Sequence, residues 1–287
     1  MAPPQNVQDF RCVPHTYRVM LRRGLLLEPS PGTAAMVQSF NLRCPDCSVL
    51  LSGFDTAGIS AHLACCGTNG GWYHQAGAVN RCVKSFFTDV GVMATLEPPN
   101  TSPGTTHRAA DVGSAPIPVP PTFVAGGTHS LACDSAVWYF TPTRAAQMAS
   151  KPGWGAEEVE RRKPAKMARE MAQGKRAPLA AGTTFLALGI DERGRVGSGF
   201  PKLMDWLADH AVAHANLMLP GMTAANLRVR LITTWRIRLS VALQRALAES
   251  YLRRSEDIRK QAALRLGVRP LEVADVLMGM GRGGVGD

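Results

Sequence analysis

Apolar residues recur every three or four positions near the C-terminus, and this periodicity predicts an amphipathic helix over 224–255. The stripe consists of Leu227, Leu231, Trp235, Leu239, Leu243, Leu247 and Tyr251. The same kind of pattern predicts helices over 9–28, 76–89 and 202–217. We expect these stripes to pack against other elements rather than to form sites.

Continuous apolar runs predict buried strands over 131–140 and 184–191, and a shorter strand over 90–97. A helical run over 156–167 lies between the two longer strands. The proline-rich stretch 116–121 cannot be a central strand, because proline donates no ladder hydrogen bond. Asp134 interrupts the first run, and burying it is costly unless it binds a metal or caps another group. An exposed strand position for Asp134 is the alternative.

Charge points to an anionic partner. The 287 residues carry a formal net charge of +10, which favours nucleic acid first and an acidic membrane second. Residues 226–269 hold eleven Lys or Arg against three acids, although a solvated helix face would have the same composition. The N-terminus does not resemble a signal peptide, and no apolar run approaches the roughly 18 residues that span a bilayer. We therefore expect a soluble, intracellular protein.

Four of the seven cysteines lie between 44 and 66, which suits metal ligation better than a disulfide framework. Cys44 and Cys47 form a C-x-x-C turn, and His62 and Cys66 follow with helical spacing, so the four could close a tetrahedral zinc site. Cys65 competes with Cys66 for the fourth position. Small buried hydrophobic cysteines are the alternative interpretation. A zinc ion with four protein ligands would be structural.

Glu160 and Lys163 lie three residues apart on the predicted helix, and the strand after it ends on Asp191. Such a set of residues can catalyse metal-dependent phosphodiester hydrolysis. It can equally have no catalytic role. Neighbouring cations could follow a phosphate backbone. The candidate DNA-binding residues are Arg161, Arg162, Lys166, Arg228 and Arg236.

Together these pieces resemble the C-terminal region of non-LTR retrotransposon polyproteins with a restriction-like endonuclease. That region runs from a Cys-Cys-His-Cys knuckle through an "Arg-Pro-Ala-Asp-Val" strand and an "Asp-Val-Thr-Val" strand. It continues to a "Glu-x-Arg-Lys-His-x-Lys-Tyr" helix and a "Phe-x-Pro-Leu-Ala-Val-Glu" strand. The corresponding pieces here are Cys44/Cys47/His62/Cys66, Arg108 to Val112, Asp134 to Val137, Glu160 to Met167 and Phe185 to Asp191.

The resemblance implies an α/β fold with a restriction-endonuclease-like, PD-(D/E)xK mixed sheet flanked by helices. Asp111 and Asp134 would hold Mg²⁺, Lys163 would neutralise or orient the attacking oxygen, and Glu160 would complete the catalytic set. The implied activity is nicking of target DNA to prime reverse transcription, with element RNA as a further partner and a nuclear location. No Asp-Asp polymerase motif is present, so the predicted activity is that of the nuclease alone.

The expected organisation is a helical N-terminal segment (1–43), a zinc knuckle (44–75), an endonuclease domain (76–200), a basic helical segment (201–272) and a disordered tail (273–287). Two other interpretations fit the sequence. The first is a zinc-stabilised nucleic-acid-binding module without catalysis, and the second is a non-functional reading frame. The nuclease requires Asp111, Asp134 and Lys163 to converge. The non-functional frame predicts low order over residues 100–130 and no convergence of the four zinc ligands.

Overall fold

The computed structural model describes residues 14–24, 32–68, 71–97, 110–119, 127–139, 151, 153–176, 178–214 and 222–273. The helices are α1 (Pro14–Gly24), α2 (Thr33–Phe40), α3 (Thr56–Cys65), α4 (Gly71–Asp89), α5 (Trp154–Ala172), α6 (Gly199–Ala213) and α7 (Ala224–Leu266). The strands are β1 (Ala94–Leu96), β2 (Val112–Ser114), β3 (Ile117–Val119), β4 (Gly127–Trp138) and β5 (Thr183–Asp191). The predicted tail beyond 273, residues 100–107, and Arg108 and Ala109 of the motif that contains Asp111 lie outside the described residues.

The strands form one mixed sheet, which confirms the expected α/β class with a mixed sheet flanked by helices. β1 pairs antiparallel with β2, and β2 pairs antiparallel with β4. β5 pairs parallel with β4 along nine residues, and α5 provides the crossover that parallel neighbours need. β3 pairs only with the start of β4, so the proline-rich stretch supplies a short peripheral strand, as its lost donors require.

The chain divides into two compact units: unit 1 contains 1–74 and 244–287, and unit 2 contains 75–243. The boundaries fall within α4 and α7. Unit 1 has its own apolar core, in which Val37, Leu42, Leu63 and Tyr251 are completely buried. It therefore joins the cysteine-rich segment to the second half of α7.

Unit 2 is built around the sheet. Helices α5 and α6 pack against β5, and Phe200 and Leu203 of α6 are fully buried. In the same unit the indole N–H of Trp235 donates to the Asp89 carboxylate at 2.8 Å. These contacts account for the apolar stripes that the sequence shows in α4, α6 and the first half of α7.

Helix α7 extends eleven residues beyond the predicted end at 255. Its last turns carry Ile258, Ala262 and Ala263, all buried, so the packing stripe continues past the leucine series. Helix α5 is unbroken across Pro164. Among the described residues, no helix has the length and apolar character needed to cross a membrane.

Gly189 of β5 lets α5 approach the sheet closely. A Cβ at this position would lie 2.0 Å from the carbonyl oxygen of Ala156, and the Gly189 N–H donates to Glu160 Oε1 at 3.0 Å. The added Cβ would collide with the backbone of α5, which cannot move aside as a flexible side chain could. Any side chain at position 189 therefore shifts α5 and the residues that it carries.

We therefore expect Gly189→Ala to lower the free energy of unfolding by about 1–3 kcal/mol, the usual cost of overpacking. Chemical denaturation measures this loss. Gly53→Ala is the matched control, because nothing lies within 4 Å of its added Cβ. An unchanged free energy of unfolding in Gly189→Ala would mean that α5 is not held against the strand at this position.

Candidate functional site

Asp111 and Asp134, which we call the acid pair, lie side by side in unit 2. Asp111 directly precedes β2, whose first residue, Val112, is paired with Cys133 of β4. Asp134 follows Cys133, so the antiparallel pairing brings the two carboxyl groups together. The N–H of Ser135 donates to Asp111 Oδ2 at 2.9 Å. The structure thus joins two acids that are 23 residues apart in the sequence.

The two carboxyl groups of the acid pair differ in pKa. Burial raises the pKa of Asp111 from the ordinary 3.8 to about 7, and the charge of Asp134 beside it acts in the same direction. Asp134 is only 6% exposed. Burial opposes its ionisation, but the Lys163 ammonium and a hydrogen bond from Asp111 bring the pKa of Asp134 below its ordinary value. Asp134 is therefore the charged member of the pair, and Asp111 the member that holds the proton.

Lys163 of α5 points into the acid pair. Its ammonium donates to Asp134 Oδ1 at 2.5 Å and to the Ser135 carbonyl at 3.1 Å. The predicted convergence of Asp111, Asp134 and Lys163 is therefore present. The alternative of an exposed position for Asp134 is wrong, because the residue is buried.

Two further charged residues, Arg176 and Glu170, lie near the acid pair, and neither was a candidate site residue in the sequence. Arg176 follows α5, and its Nη2 lies 4.0 Å from Asp134 Oδ2. Its Nε donates to the buried carboxylate of Glu170 at 3.0 Å. The spacing of Glu170 from Lys166 was the one available signal, since residues four apart share a helix face. Nothing local indicates that Arg176 turns back towards β4.

Glu160 has a different set of partners. Its carboxylate accepts from the N–H groups of Gly189 at 3.0 Å and Gly199 at 2.9 Å, and from the hydroxyl of Ser198 at 3.1 Å. Gly199 begins α6, so the carboxylate satisfies a free N–H at a helix N-terminus. This arrangement joins α5, β5 and α6, and the contacts of Glu160 do not include the acid pair.

Asp191, the last residue of β5, is also used locally. It is fully buried and accepts from the N–H groups of Arg193 and Arg195, both at 2.9 Å. Its other oxygen pairs with the Arg195 guanidinium at 2.7 Å. These bonds build the turn after β5, so the carboxylate at the end of this strand is occupied by its own turn.

The predicted DNA-binding cations of α5 lie near the surface but are not independent of one another. Arg161 and Arg162 both pair with Glu158, and the Arg162 guanidinium also lies 5.7 Å from the Trp138 ring centroid. Lys166 lies 3.6 Å from Glu170. All three side chains are more than half exposed, so they can exchange these partners for phosphate oxygens.

The two predicted cations of α7 differ. Arg228 is held by Asp205 at 2.7 Å and Asp209 at 2.8 Å, so its charge is largely compensated. Arg236 is exposed, and within the described residues it makes no hydrogen bond or ion pair that would compensate its charge. Of the two, Arg236 presents the stronger positive charge to solvent.

The predicted zinc ligands converge in unit 1. The ligand atoms of Cys44, Cys47, His62 and Cys66, which we call the cysteine–histidine cluster, all lie within 4.8 Å of one another. The Cys44 and Cys66 sulfurs are 3.7 Å apart, and Cys47 Sγ is 3.3 Å from His62 Nε2. Tetrahedral zinc with sulfur at 2.3 Å requires S–S separations of about 3.8 Å. The cluster can therefore hold a metal ion such as zinc.

Local structure presets these ligands. Cys44 and Cys47 occupy a turn closed by a hydrogen bond from Ser48 N–H to the Cys44 carbonyl at 2.9 Å. Helix α3, capped by Asp55, carries His62, and Cys66 follows its last residue. Cys66 rather than Cys65 belongs to the cluster. This convergence is the opposite of what the non-functional reading frame predicts.

Burial and a neighbouring charge change the pKa values of two residues of the cysteine–histidine cluster. Burial raises the pKa of the Cys44 thiol to about 12, so without a metal this sulfur keeps its proton. Burial, followed by the charge of Arg254, lowers the pKa of His62, and a neutral imidazole is the form that binds metal. A metal ion must therefore displace the Cys44 proton, and its binding must weaken in acid.

Comparison with known proteins identifies no relative. No family model, no curated protein and no solved structure matches this chain. Its function must therefore be inferred from its own two clusters.

Proposed function

We propose that unit 2 is a metal-dependent DNA endonuclease of non-LTR retrotransposon type, which nicks target DNA to prime reverse transcription. The observation that carries this proposal is the meeting of Asp111, Asp134 and Lys163 at one point of the sheet. The retrotransposon origin is supported by the order of motifs in the sequence alone.

The acid pair is costly for stability, and this cost favours a functional reason for it. Like charges on neighbouring strands destabilise a sheet, and Lys163 needs only one of the two carboxylates as its partner. A purely structural ion pair would be complete with Asp134 alone. Asp111 adds a second acid that the fold can accommodate only by protonating it, or by exchanging that proton for a cation.

The donor set fits Mg²⁺. Magnesium prefers oxygen ligands and is usually held by one or two carboxylates, with water and phosphate oxygens around it. Asp111 and Asp134 provide adjacent carboxylates, and loss of the proton from Asp111 would make both available as ligands. A bound Mg²⁺ would supply Lewis-acid stabilisation of the phosphate and a more acidic water.

Lys163 would have two roles in this proposed site. It neutralises Asp134, which keeps that carboxylate ionised, and it places an ammonium beside the position at which a phosphate would meet the acid pair. Such an ammonium can donate to a non-bridging oxygen, whose negative charge grows in the transition state. It can equally hold the attacking oxygen in line. Its anchorage to the Ser135 carbonyl fixes its direction for either role.

The substrate is proposed to be DNA because the chain is strongly basic and because cations lie along the helix that carries Lys163. Arg161, Arg162 and Lys166 would contact phosphates, with Arg236 as a further contact from α7. Contacts of this kind fix the position of the duplex without reading its sequence. Their binding should weaken steeply as salt concentration rises.

In unit 1 we propose a structural zinc ion held by the cysteine–histidine cluster. All four coordination positions would be filled by the protein, which leaves none for a substrate. Zinc binding would hold the turn that carries Cys44 and Cys47 to the end of α3.

The test is nicking of supercoiled plasmid by the purified full chain with Mg²⁺, beside Asp134→Asn and Lys163→Met. We expect the rate to fall at least a hundredfold in each variant, since each loses several kcal/mol of transition-state stabilisation. Glu256→Gln and Lys202→Met are the matched controls, because both residues are exposed and neither contacts the acid pair or Lys163. Both controls should nick at the wild-type rate.

Nicking that survives in Asp134→Asn or Lys163→Met would refute this site. A folded wild-type protein that binds DNA in a salt-dependent manner but never nicks it would instead identify a zinc-stabilised binding module. Circular dichroism of each variant ensures that a lost activity is not a lost fold.

A further inference from the structure

A completely buried arginine lies beside the cysteine–histidine cluster. Arg254 of α7 has no exposed side-chain surface, and an isolated charge in such a position would be prohibitively costly. Its sequence context, within a basic run, indicates only a solvated helix face. Its partners therefore have to account for its burial.

The guanidinium of Arg254 binds both halves of the cluster at once. Its Nε donates to Asp46 Oδ2 at 2.6 Å, and Asp46 lies in the turn between Cys44 and Cys47. Its Nη1 and Nη2 donate to the carbonyls of Leu63 and Cys66, both at 2.7 Å. One rigid side chain thus fixes the distance between the turn that carries two ligands and the helix end that carries the other two.

The carbonyl partners are those that a helix end leaves without an intrahelical donor. Helix α3 ends at Cys65, and its last carbonyls carry the partial negative charge of the helix dipole. Arg254 satisfies two of them and approaches that of Ala64 at 3.4 Å. It therefore sets the direction in which the chain leaves α3, and with it the position of the Cys66 sulfur.

The charges near the cluster match the metal-bound state. Zinc with three thiolates and a neutral imidazole carries a formal charge of minus one. Arg254, which pairs with Asp46, places a positive charge beside the cluster, and this is the sign that would stabilise such an anionic site.

We propose that Arg254 is a positioning residue of the metal site, so that metal affinity depends on the second half of α7 and not on residues 44–66 alone. The proposal rests on the zinc assignment made above, and it is independent of the nuclease. Groups that orient metal ligands typically contribute 10–100-fold to metal affinity.

The test measures zinc affinity of the full chain by competition with a chromogenic chelator, and records the absorption spectrum of the cobalt(II)-substituted protein. The variants are Arg254→Met, which keeps the length of the side chain, and Arg254→Lys, which keeps its charge. Arg253→Met is the matched control, because Arg253 also pairs with Asp46 but has a 51% exposed side chain and, among the described residues, donates no hydrogen bond to α3.

We expect Arg254→Met to lose at least tenfold in zinc affinity and to shift the cobalt(II) d–d bands. Arg254→Lys should lie between Arg254→Met and the wild type, because one ammonium cannot span Asp46, Leu63 and Cys66. Arg253→Met should remain within about twofold, as exposed ion pairs contribute little. If Arg254→Met does not fold, Arg254→Lys decides: a measurable loss supports the proposal.

Wild-type affinity and an unchanged cobalt(II) spectrum in Arg254→Lys or in folded Arg254→Met would overturn the positioning role. A wild-type protein that binds neither zinc nor cobalt(II) would instead refute the zinc assignment itself. The two failures are therefore distinguishable.

Discussion

Replacing Asp111 by asparagine is expected to abolish nicking and, at the same time, to stabilise unit 2 at pH 8. Asparagine cannot ionise, so it cannot provide the second carboxylate of a cation site, and we expect at least a hundredfold loss of rate. It also removes the charge that Asp134 and burial oppose. The gain in free energy of unfolding should be on the order of 1 kcal/mol.

The pH dependence of stability follows from the same group. Because the folded-state pKa of Asp111 is raised to about 7, the native protein binds more protons than the unfolded chain between roughly pH 4 and 7. Its contribution is therefore fully present in acid and is lost as the pH rises through 7. In Mg²⁺-free buffer, the free energy of unfolding of the wild type should fall over this range, and Asp111→Asn should remove that part of the slope.

Asp134→Asn provides the control of opposite sign. It leaves Lys163, whose side chain is only 20% exposed, without its main charged partner, and breaking a buried ion pair destabilises strongly. Urea denaturation at pH 8 should therefore rank Asp111→Asn above the wild type and Asp134→Asn below it. Equal destabilisation by both substitutions would contradict the unequal protonation of the acid pair.

The second large effect is expected from Cys44→Ser, which should release zinc and loosen residues 40–75. Serine is a poor zinc ligand, and the free energy of binding to a structural site is also free energy of folding. The expected loss is several kcal/mol in unit 1. Zinc content by mass spectrometry and amide hydrogen exchange over residues 40–75 measure the two parts of the effect.

Cys65→Ser is the matched control for that substitution, since Cys65 is adjacent to Cys66 but outside the cysteine–histidine cluster. It should retain one zinc per chain and leave hydrogen exchange unchanged. Zinc retained at full occupancy in Cys44→Ser, or lost in Cys65→Ser, would overturn the ligand assignment.

The sequence predicts the parts of these sites that depend on local pattern. Spacing predicts Cys44, Cys47 and His62 as candidate metal ligands and leaves Cys65 and Cys66 as alternatives for the fourth position, because a C-x-x-C turn and a helical histidine each preset their own geometry. Apolar runs identify β4 and β5, and the interrupted pattern makes Asp134 conspicuous. The helical pattern over 156–167 places Lys163 on α5, where the structure has it.

The sequence cannot predict contacts between residues that are far apart along the chain. Arg254 and Asp46 are 208 residues apart, and no periodicity relates them. For the same reason the basic run of α7 overstates the charge available to a ligand, because Arg228, Arg238 and Arg254 are compensated within the fold. Glu160 is a further example: its motif position suggests catalysis, but three donors from β5 and the start of α6 occupy its carboxylate.

The most direct measurement of the central claim, that Asp111 and Asp134 form one divalent-cation site, is the effect of Mg²⁺ on thermal unfolding without DNA. At ten times its dissociation constant, a bound cation contributes about 1.4 kcal/mol, which should raise the wild-type melting temperature by about 3–5 °C. Asp111→Asn should show no such rise. An identical response of the two proteins to Mg²⁺ would contradict the site.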